Sequence, residues 1–451
     1  MGGMNWLGGK KSADKSAMYL GVVRDWRLNP SKRITQKYYM PIEERSRHML
    51  VIGTTGSGKS RLIEKLVCDD IKRNYSVVVL DPKGDFRLVN AIFETAEKCG
   101  RLQEVVFVSP VHPTISARID PLKFYRMKEE ITSHIVSTIQ AKDDYYITVA
   151  QETTQVIIDW LIANAVYHGV EPQINIQAVK RWASHANFKE ISDEIKDWPD
   201  SPLKESLNLN IEHIVNSPQD FFAKVSSSLR TVLTALTSGA AGLILGRANA
   251  NRFLSQIEQG GQTILVVQTG SMLTRRVGHM IGRMVLSMIQ SLAGRLNADN
   301  TPLAHPLSIY MDEAGSLLYR GVEDIPAKSA SAGIYCHFFT QSLADLEEKV
   351  GPNIATAIKD NCNTQIYMRV NDLETGEYIS RRSGMRVWGS HMYGSDGHIM
   401  TREVEEPVVL PHEPLELLER EFFLFNRKGA LYKGRVEKIP EPNLIVKFPE
   451  G

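Results

Sequence analysis

The chain contains the stretch MLVIGTTGSGKSRLIEKLV at residues 49 to 67. In it, four apolar residues run into a glycine-rich turn, and apolar residues at helical spacing follow. This order predicts a strand, a phosphate-binding loop and a helix. The loop, residues 53 to 60, fits the pattern G-x-x-x-x-G-K-[ST] at each constrained position. The alternative is a flexible glycine turn, which the flanking strand and helix patterns disfavour.

The residue types in this loop suit a nucleoside triphosphate with Mg²⁺. Its glycines allow a backbone tight enough for N–H groups to point at phosphate oxygens. Lys59 can reach the β- and γ-phosphates, and the Ser60 hydroxyl is placed to ligate Mg²⁺. The predicted nucleotide-binding residues are Gly53, Thr54, Thr55, Gly56, Ser57, Gly58, Lys59, Ser60 and Arg61.

Length and composition narrow the class of protein. A chain of 451 residues predicts about two or three structural units. It has 53 Lys and Arg against 52 Asp and Glu, so a surface for nucleic acid or anionic membrane must be local. The four cysteines are far apart, which favours buried thiols over a disulfide or zinc site. No signal peptide or apolar run of about 18 to 20 residues is visible, so we expect a cytoplasmic chain.

The pattern outside the loop predicts an α/β fold with a mostly parallel central sheet. Continuous apolar runs such as SVVVLD, EVVFVS and QTILVVQT alternate with helical periodicity, as in strands buried on both faces by helices. A long helix is predicted from about residue 273 to 296, and a C-terminal hairpin is predicted to turn at Lys428 and Gly429.

Strand signals vanish between residues 125 and 250, where apolar residues recur at helical spacing between turn clusters. We interpret this stretch as an all-α insertion. The predicted domains are an N-terminal leader and strand region at 1–45, a nucleotide-binding domain formed by 46–124 and 251–451, and the all-α domain at 125–250.

A second carboxylate-bearing motif completes the predicted site. LSIYMDE at residues 307 to 313 is an apolar strand ending in two acids, the Walker B pattern. Asp312 would hold Mg²⁺, and Glu313 could polarise the water that attacks the γ-phosphate. Gln341, after a further strand, fits a γ-phosphate sensor because its amide can both donate and accept. A plain surface turn is the alternative for the Asp-Glu pair.

Another charged cluster ends the second strand of the predicted sheet. Asp81, Lys83 and Asp85 follow SVVVL, and ligands bind where parallel strands end. These three residues are predicted accessory residues that face the nucleotide or a neighbouring subunit. The alternative is a solvated Pro-Gly turn.

Together, GTTGSGKS, DPKGD, IDPL, YMDEAGSL and FFTQSLADLEEKVG resemble the type IV coupling proteins of bacterial conjugation, the TraD/TraG group, within the FtsK/HerA-like hexameric ATPases. The resemblance covers about residues 45 to 385. It implies a RecA-like fold with an all-α domain inserted between the Walker motifs. It also implies that Lys59 and Ser60 bind ATP and Mg²⁺, that Asp312 and Glu313 complete hydrolysis, and that Gln341 senses the γ-phosphate.

The resemblance further implies a homo-hexameric ring at the cytoplasmic face of the inner membrane. Its partners would be DNA, a relaxase or other nucleoprotein cargo, and a type IV secretion channel. Two departures stand out. Transmembrane helices usually precede the ATPase domain in the family, and this sequence shows none. The helix expected to carry a trans-acting arginine has none either, which leaves four candidate cations: Arg320, Lys328, Arg381 and Arg382.

The leading hypothesis is therefore an ATP-driven translocase that contacts DNA phosphates without a base code. The stretch at residues 389 to 402 is a candidate DNA-contacting loop, with a plain surface loop as its alternative. A related ATPase that moves protein substrates shares every Walker residue. A nucleotide-binding docking scaffold is favoured by the missing arginine and disfavoured by the intact Glu313. We expect the isolated chain to assemble weakly, or to stay monomeric.

Overall fold

A computed structural model describes residues 17–84, 86–140, 143–218, 222–224, 226–246, 248–268, 274–393 and 399–443. For residues 388–393 and 399–402 only the backbone is described. The chain divides into two compact units. The first unit comprises the chain up to Leu62 together with residues 341–344 and 360–439, and the second comprises residues 63–340, 345–359 and the C-terminal segment from Pro440.

The strands and helices are numbered in chain order. The strands are β1 (Met18–Asp25), β2 (Gln36–Met40), β3 (Met49–Ile52), β4 (Ser76–Asp81), β5 (Val105–Val108), β6 (Ile264–Gln268), β7 (Leu307–Met311), β8 (Ile334–Thr340), β9 (Thr364–Tyr367), β10 (Met385–Tyr393), β11 (Ile399–Pro407), β12 (Glu421–Phe425) and β13 (Leu431–Val436). The helices are α1 (Ile42–Arg45), α2 (Lys59–Lys72), α3 (Phe86–Lys98), α4 (Lys128–Val136), α5 (Asp144–His168), α6 (Ile176–Trp182), α7 (His185–Lys196), α8 (Pro202–Val215), α9 (Ser227–Thr237), α10 (Gly239–Ile244), α11 (Arg252–Glu258), α12 (Arg275–Ala298), α13 (Ala314–Leu317), α14 (Asp324–Lys328), α15 (Leu343–Val350), α16 (Pro352–Asn361) and α17 (Leu373–Ser383).

The second unit carries the parallel sheet that the apolar runs predict. Its strands are ordered β8-β7-β4-β6-β5, and each pairs in parallel with its neighbour. Each residue of β4, β6 and β7 is buried, as expected for strands covered on both faces. Because all five strands run in one direction, their carboxyl ends lie along one edge of this sheet.

The sheet of the first unit is mostly antiparallel, in the order β2-β1-β13-β12-β9-β3. Only β3 and β9 pair in parallel within it. The predicted hairpin is present as β12 and β13, with Gly429 at a φ of 79° in its turn. The sequence did not predict β2, because its polar residues lack a strand pattern and, among the described strands, it pairs with β1 alone.

Between β5 and β6 the described elements are all helices, α4 to α11. Their packing includes a close Trp160 and Trp182 pair and a Phe188 and Phe222 pair. Several begin with a side-chain cap: Asn175, for example, accepts from the N–H of Ala178, which satisfies a donor of the first turn. These helices occupy the predicted all-α stretch, and the predicted domain boundaries stay a prediction.

One sequence-based prediction of a loop is wrong. Residues 389–393 and 399–402 lie in strands β10 and β11, which pair antiparallel as a separate two-stranded sheet. The glycines and polar residues of this stretch suggested a loop, whereas local pairing between the two segments makes a ribbon. Residues 394–398 of the candidate stretch lie outside the described residues, and its contact with DNA stays a prediction.

Candidate nucleotide site

The predicted phosphate loop lies in the first unit between the buried strand β3 and the start of α2 at Lys59. Gly56 and Gly58 have φ values of 76° and 109°, in the region that favours glycine. A Cβ at Gly58 would lie 3.2 Å from the Arg420 Cγ. Both the backbone conformation and this close approach therefore explain why glycine occupies position 58.

The C-terminal half of the chain supports this loop from two sides. The N–H of Thr54 donates to the Arg369 carbonyl at 2.7 Å, and the Asn371 amide donates to the Thr54 hydroxyl at 3.2 Å. The N–H of Arg420 donates to the Ser57 carbonyl at 2.8 Å. Sequence reasoning missed these supporting residues, because no local motif indicates that they approach the loop.

The loop fits phosphate groups. The main-chain N–H groups of Thr55, Gly56 and Gly58 donate to no other residue within the described parts of the chain. The buried Lys59 ammonium donates to the carbonyls of Gly53 and Thr54, and so folds back onto its own loop. A phosphate would give these N–H groups and the ammonium anionic acceptors in place of peptide carbonyls.

The predicted Walker B carboxylate lies in the second unit, directly after β7. Asp312 is only 4% exposed, and its Oδ2 lies 2.6 Å from the Lys83 ammonium, which is 39% exposed. Its Oδ1 is buried and has no hydrogen-bond partner among the described residues. A buried carboxylate oxygen without a donor fits a Mg²⁺ ligand or a ligand to Mg²⁺-bound water.

Lys83 and Asp81 join Asp312 at the carboxyl edge of the parallel sheet. Strands β4 and β7 are neighbours, with Leu80 opposite Met311, so the residues that follow them lie side by side. The Asp81 Oδ1 accepts from the Lys83 N–H at 2.9 Å, which positions the lysine over Asp312. The structure thus brings these two accessory candidates to the Walker B acid, whereas Asp85 lies outside the described residues.

Glu313 has a strained backbone. It has φ 55° and ψ 52°, the left-handed conformation, between β7 and the short helix α13. This conformation costs a residue with a side chain about 1 to 2 kcal/mol. The Glu313 carboxylate makes no hydrogen bond or ion pair to any residue that the structure describes. Such strain at a strand end is typical of a functional position.

The remaining candidates are exposed. Gln341 follows β8 and is exposed; it belongs to the first unit, as the loop does. Arg320 is ion-paired with the exposed Asp144, and Lys328 with Asp324. Arg382 donates to the Tyr378 hydroxyl at 3.3 Å and lies over the Phe425 ring. Arg381 is also exposed, and its side chain makes no hydrogen bond or ion pair within the described part of the chain.

Two family models match the chain. Residues 306–417 match the TraM recognition site of TraD and TraG. The resemblance to the TraD/TraG coupling proteins is confirmed. Residues 35–245 match the central domain of the helicase HerA. The phosphate loop lies within the HerA match, and Asp312, Glu313 and the four candidate cations lie within the TraD/TraG match.

Solved structures confirm the predicted fold class. The unbound bacterial conjugative coupling protein TrwBdeltaN70 is similar with a TM-score of 0.67 and 18% identity, over 98% of this chain and 100% of that chain. The plasmid coupling protein TrwB in complex with ADP and Mg²⁺ is similar with a TM-score of 0.66 and 19% identity, over 96% of this chain and 97% of that chain. VirB4 of Thermoanaerobacter pseudethanolicus is similar with a TM-score of 0.54 and 11% identity, over 95% of this chain and 98% of that chain. These likenesses show a RecA-like fold, with a mostly parallel sheet flanked by helices.

No curated protein sequence matches the chain. Within its described part, no helix combines the length and the apolar character that crossing a bilayer requires.

Proposed function

We propose that this TraD/TraG-type chain is an ATP-hydrolysing coupling protein. In this role it recruits a relaxase–DNA or other nucleoprotein substrate and drives DNA into a type IV secretion channel during conjugation. ATP and Mg²⁺ are its cofactors, as ADP and Mg²⁺ are bound in the TrwB structure of the same fold. The proposed location is the cytoplasmic side of the bacterial inner membrane.

The observation that carries the proposal is the Asp312 carboxylate. It lies at the carboxyl end of a parallel strand, buried, with one oxygen on Lys83 and the other without a partner among the described residues. It belongs to the segment that matches the TraD/TraG model. A buried carboxylate with one oxygen left for a cation supports Mg²⁺ at the nucleotide, which the proposed hydrolysis requires.

Each residue has a distinct proposed role. The loop N–H groups and Lys59 bind the phosphates, and Lys59 exchanges its carbonyl acceptors for phosphate oxygens. Ser60 and Asp312 would hold Mg²⁺, which neutralises charge that develops on the phosphates. Glu313 positions and polarises the attacking water, and Gln341 senses the γ-phosphate.

The proposed assembly is a homo-hexameric ring with nucleotide between neighbouring copies. DNA contacts would go to backbone phosphates, so they need no base code. The near-neutral net charge of +1 is compatible with this, because a local basic surface is enough. The helices between β5 and β6 would meet cargo, and the isolated chain is expected to associate weakly.

The testing experiment measures steady-state ATP turnover with and without single- and double-stranded DNA at low salt. We expect DNA to stimulate ATP turnover, because a translocase couples ATP hydrolysis to movement along DNA. Lys59→Ala should lower turnover at least about 100-fold, by removing the cation from the phosphates. Lys72→Ala is the matched control: it removes an exposed lysine from the last turn of the same helix, and turnover should stay near wild type.

Each alternative outcome would contradict the site assignment or support a different function. Turnover by Lys59→Ala equal to wild type would refute the site. Turnover that DNA leaves unchanged, but that a protein cargo stimulates, would indicate the class of ATPase that moves proteins. Nucleotide binding without turnover under any of these conditions would indicate a docking scaffold.

A further inference from the structure

A cavity of about 310 Å³ lies in the second unit between the first turns of α12, helix α9 and the residues that follow α4. Helix α12 lines it with Arg276, His279 and Arg283, which share one face because they are spaced i, i+3 and i+7. Helix α9 lines it with three hydroxyl-bearing residues, Ser227, Ser228 and Thr231. No carboxylate is among the described residues that line it.

Arg283 is the decisive side chain of this cavity. It is only 2% exposed. One guanidinium nitrogen donates to the Ser316 carbonyl at 2.8 Å, and another donates at 2.9 Å to the Gln140 amide oxygen, in the amide orientation that satisfies both groups. The guanidinium Nε is buried and has no acceptor among the described residues.

The charge of Arg283 also lacks a counter-charge among the described residues. Its guanidinium forms no ion pair with any described carboxylate, and burial lowers its pKa to about 10. A buried charge costs free energy unless an opposite charge lies beside it. The unused donor and the missing counter-charge both point to an anion that binds in the cavity.

His279 contributes a donor without adding charge. Burial, followed by the nearby Arg283, Arg275 and Lys349, lowers its pKa to about 4. The ring is therefore neutral at pH 7 and can donate from one nitrogen. The cavity thus combines two guanidinium groups, a neutral imidazole and several hydroxyl groups.

We infer that this cavity binds a phosphate group of a nucleic-acid backbone, an inference that rests on the proposed function. Guanidinium forks with hydroxyl groups match the several oxygens of a phosphate, and they contact no base. The enclosed Arg283 holds the phosphate from inside, and the exposed Arg276 reaches it from the rim. The site is separate in sequence from the Walker residues, which need no second phosphate site for hydrolysis.

The test compares two adjacent arginines of α12. Arg276 lines the cavity, whereas Arg275 is also exposed and does not line it. Arg276→Ala and Arg275→Ala remove the same charge, so general electrostatic weakening affects both. We expect Arg276→Ala to weaken binding of a labelled single-stranded oligonucleotide about tenfold, and Arg275→Ala about twofold or less, by fluorescence anisotropy at low salt.

The salt dependence of oligonucleotide affinity and a second substitution provide two further tests of the phosphate site. Arg276→Ala should reduce the slope of log affinity against log salt by about 1, whereas Arg275→Ala should leave it unchanged. Arg283→Lys keeps the charge but loses the planar fork, so we expect weaker oligonucleotide binding with wild-type affinity for a non-hydrolysable ATP analogue.

Equal affinities for Arg276→Ala and Arg275→Ala would overturn the inference and leave the proposed function intact, provided that the wild type binds DNA. If Arg276→Ala lost affinity for the ATP analogue and kept it for DNA, the phosphate would belong to a nucleotide, and the inference would again be wrong. A wild-type chain that binds no oligonucleotide would overturn both the inference and the proposed function.

Discussion

At the scale of single residues, Glu313 combines a strained backbone with a carboxylate that makes no hydrogen bond or ion pair to a described residue. The strain is tolerated because strand β7 and helix α13 fix the chain on either side. A side chain held in this way keeps its acceptor for a ligand, which a plain surface turn would not require. Its role in polarising water can be tested separately from binding.

We predict that Glu313→Gln lowers the rate constant of ATP hydrolysis by at least about 100-fold, because an amide cannot accept the proton of water. The dissociation constant for a non-hydrolysable ATP analogue should change less than about threefold, since the phosphates are bound elsewhere. Single-turnover hydrolysis and equilibrium binding measure the two quantities. Glu323→Gln, whose side chain accepts from the Gly321 N–H, is the matched control. Normal hydrolysis by Glu313→Gln would exclude this role.

Some residues of the candidate site could be predicted from the sequence, and others could not. The loop of residues 53 to 60 is predictable because its chemistry is contiguous. Asp312 is predictable as a strand-ending acid, but its ion pair with Lys83 depends on β4 and β7 being neighbours, which their separation along the chain hides. Arg283 belongs to no recognisable motif. Its spacing from Arg276 and His279 could nevertheless have indicated that the three residues share one face of a helix.

At the scale of elements, the buried apolar strands were predictable, since strands covered on both faces are continuous apolar runs. The ribbon of β10 and β11 and the strand β2 were not, because edge and isolated strands carry polar residues and depend on their partners. Contacts between helices that are distant in sequence could not be predicted either, because no local pattern specifies which helices pack together. One such contact, between α4 and α12, carries a testable pH dependence.

His134 of α4 is 1% exposed, and its Nδ1 lies 2.9 Å from the Ser287 hydroxyl of α12. Burial, and then the charge of Arg295, lower its pKa to about 3. Below the ordinary histidine pKa of about 6.5 the unfolded chain gains a proton that the folded chain excludes. The contribution of this neutral histidine to folding stability is therefore fully present above pH 6.5 and is lost as pH falls towards 3.

We predict that His134→Gln removes this part of the acid sensitivity. Between pH 6 and 4 the wild type should lose about 1.4 kcal/mol of unfolding free energy per pH unit more than the variant does. Urea unfolding at several pH values measures the difference. His168→Gln, which removes an exposed histidine, should keep the wild-type dependence. Parallel curves for the wild type and His134→Gln would contradict a buried neutral histidine.

At the scale of the whole molecule, the proposed ring requires a cation that acts on the nucleotide of a neighbouring copy. An arginine in that role must be exposed and free to leave its own surface. Arg381 meets both conditions within the described structure, and it stands in helix α17, whose first turn is capped by Asp372. Its neighbour Arg382 is engaged by Tyr378 and Phe425, so the two form a matched pair.

We predict that Arg381→Ala lowers ATP turnover at least about 100-fold, as loss of a trans-acting arginine does in related chemistry, and that Arg382→Ala does not. Mixing Arg381→Ala with Lys59→Ala should restore activity, because the first variant keeps an intact loop and the second supplies Arg381 across the interface. An equal mixture that assembles at random would place the two correctly at about a quarter of its interfaces. The mixtures are measured under conditions in which the wild type is assembled and hydrolyses ATP. If turnover there stays at background at every mixing ratio, Arg381 does not act between subunits, and Arg320 or Lys328 must be tested in the same way.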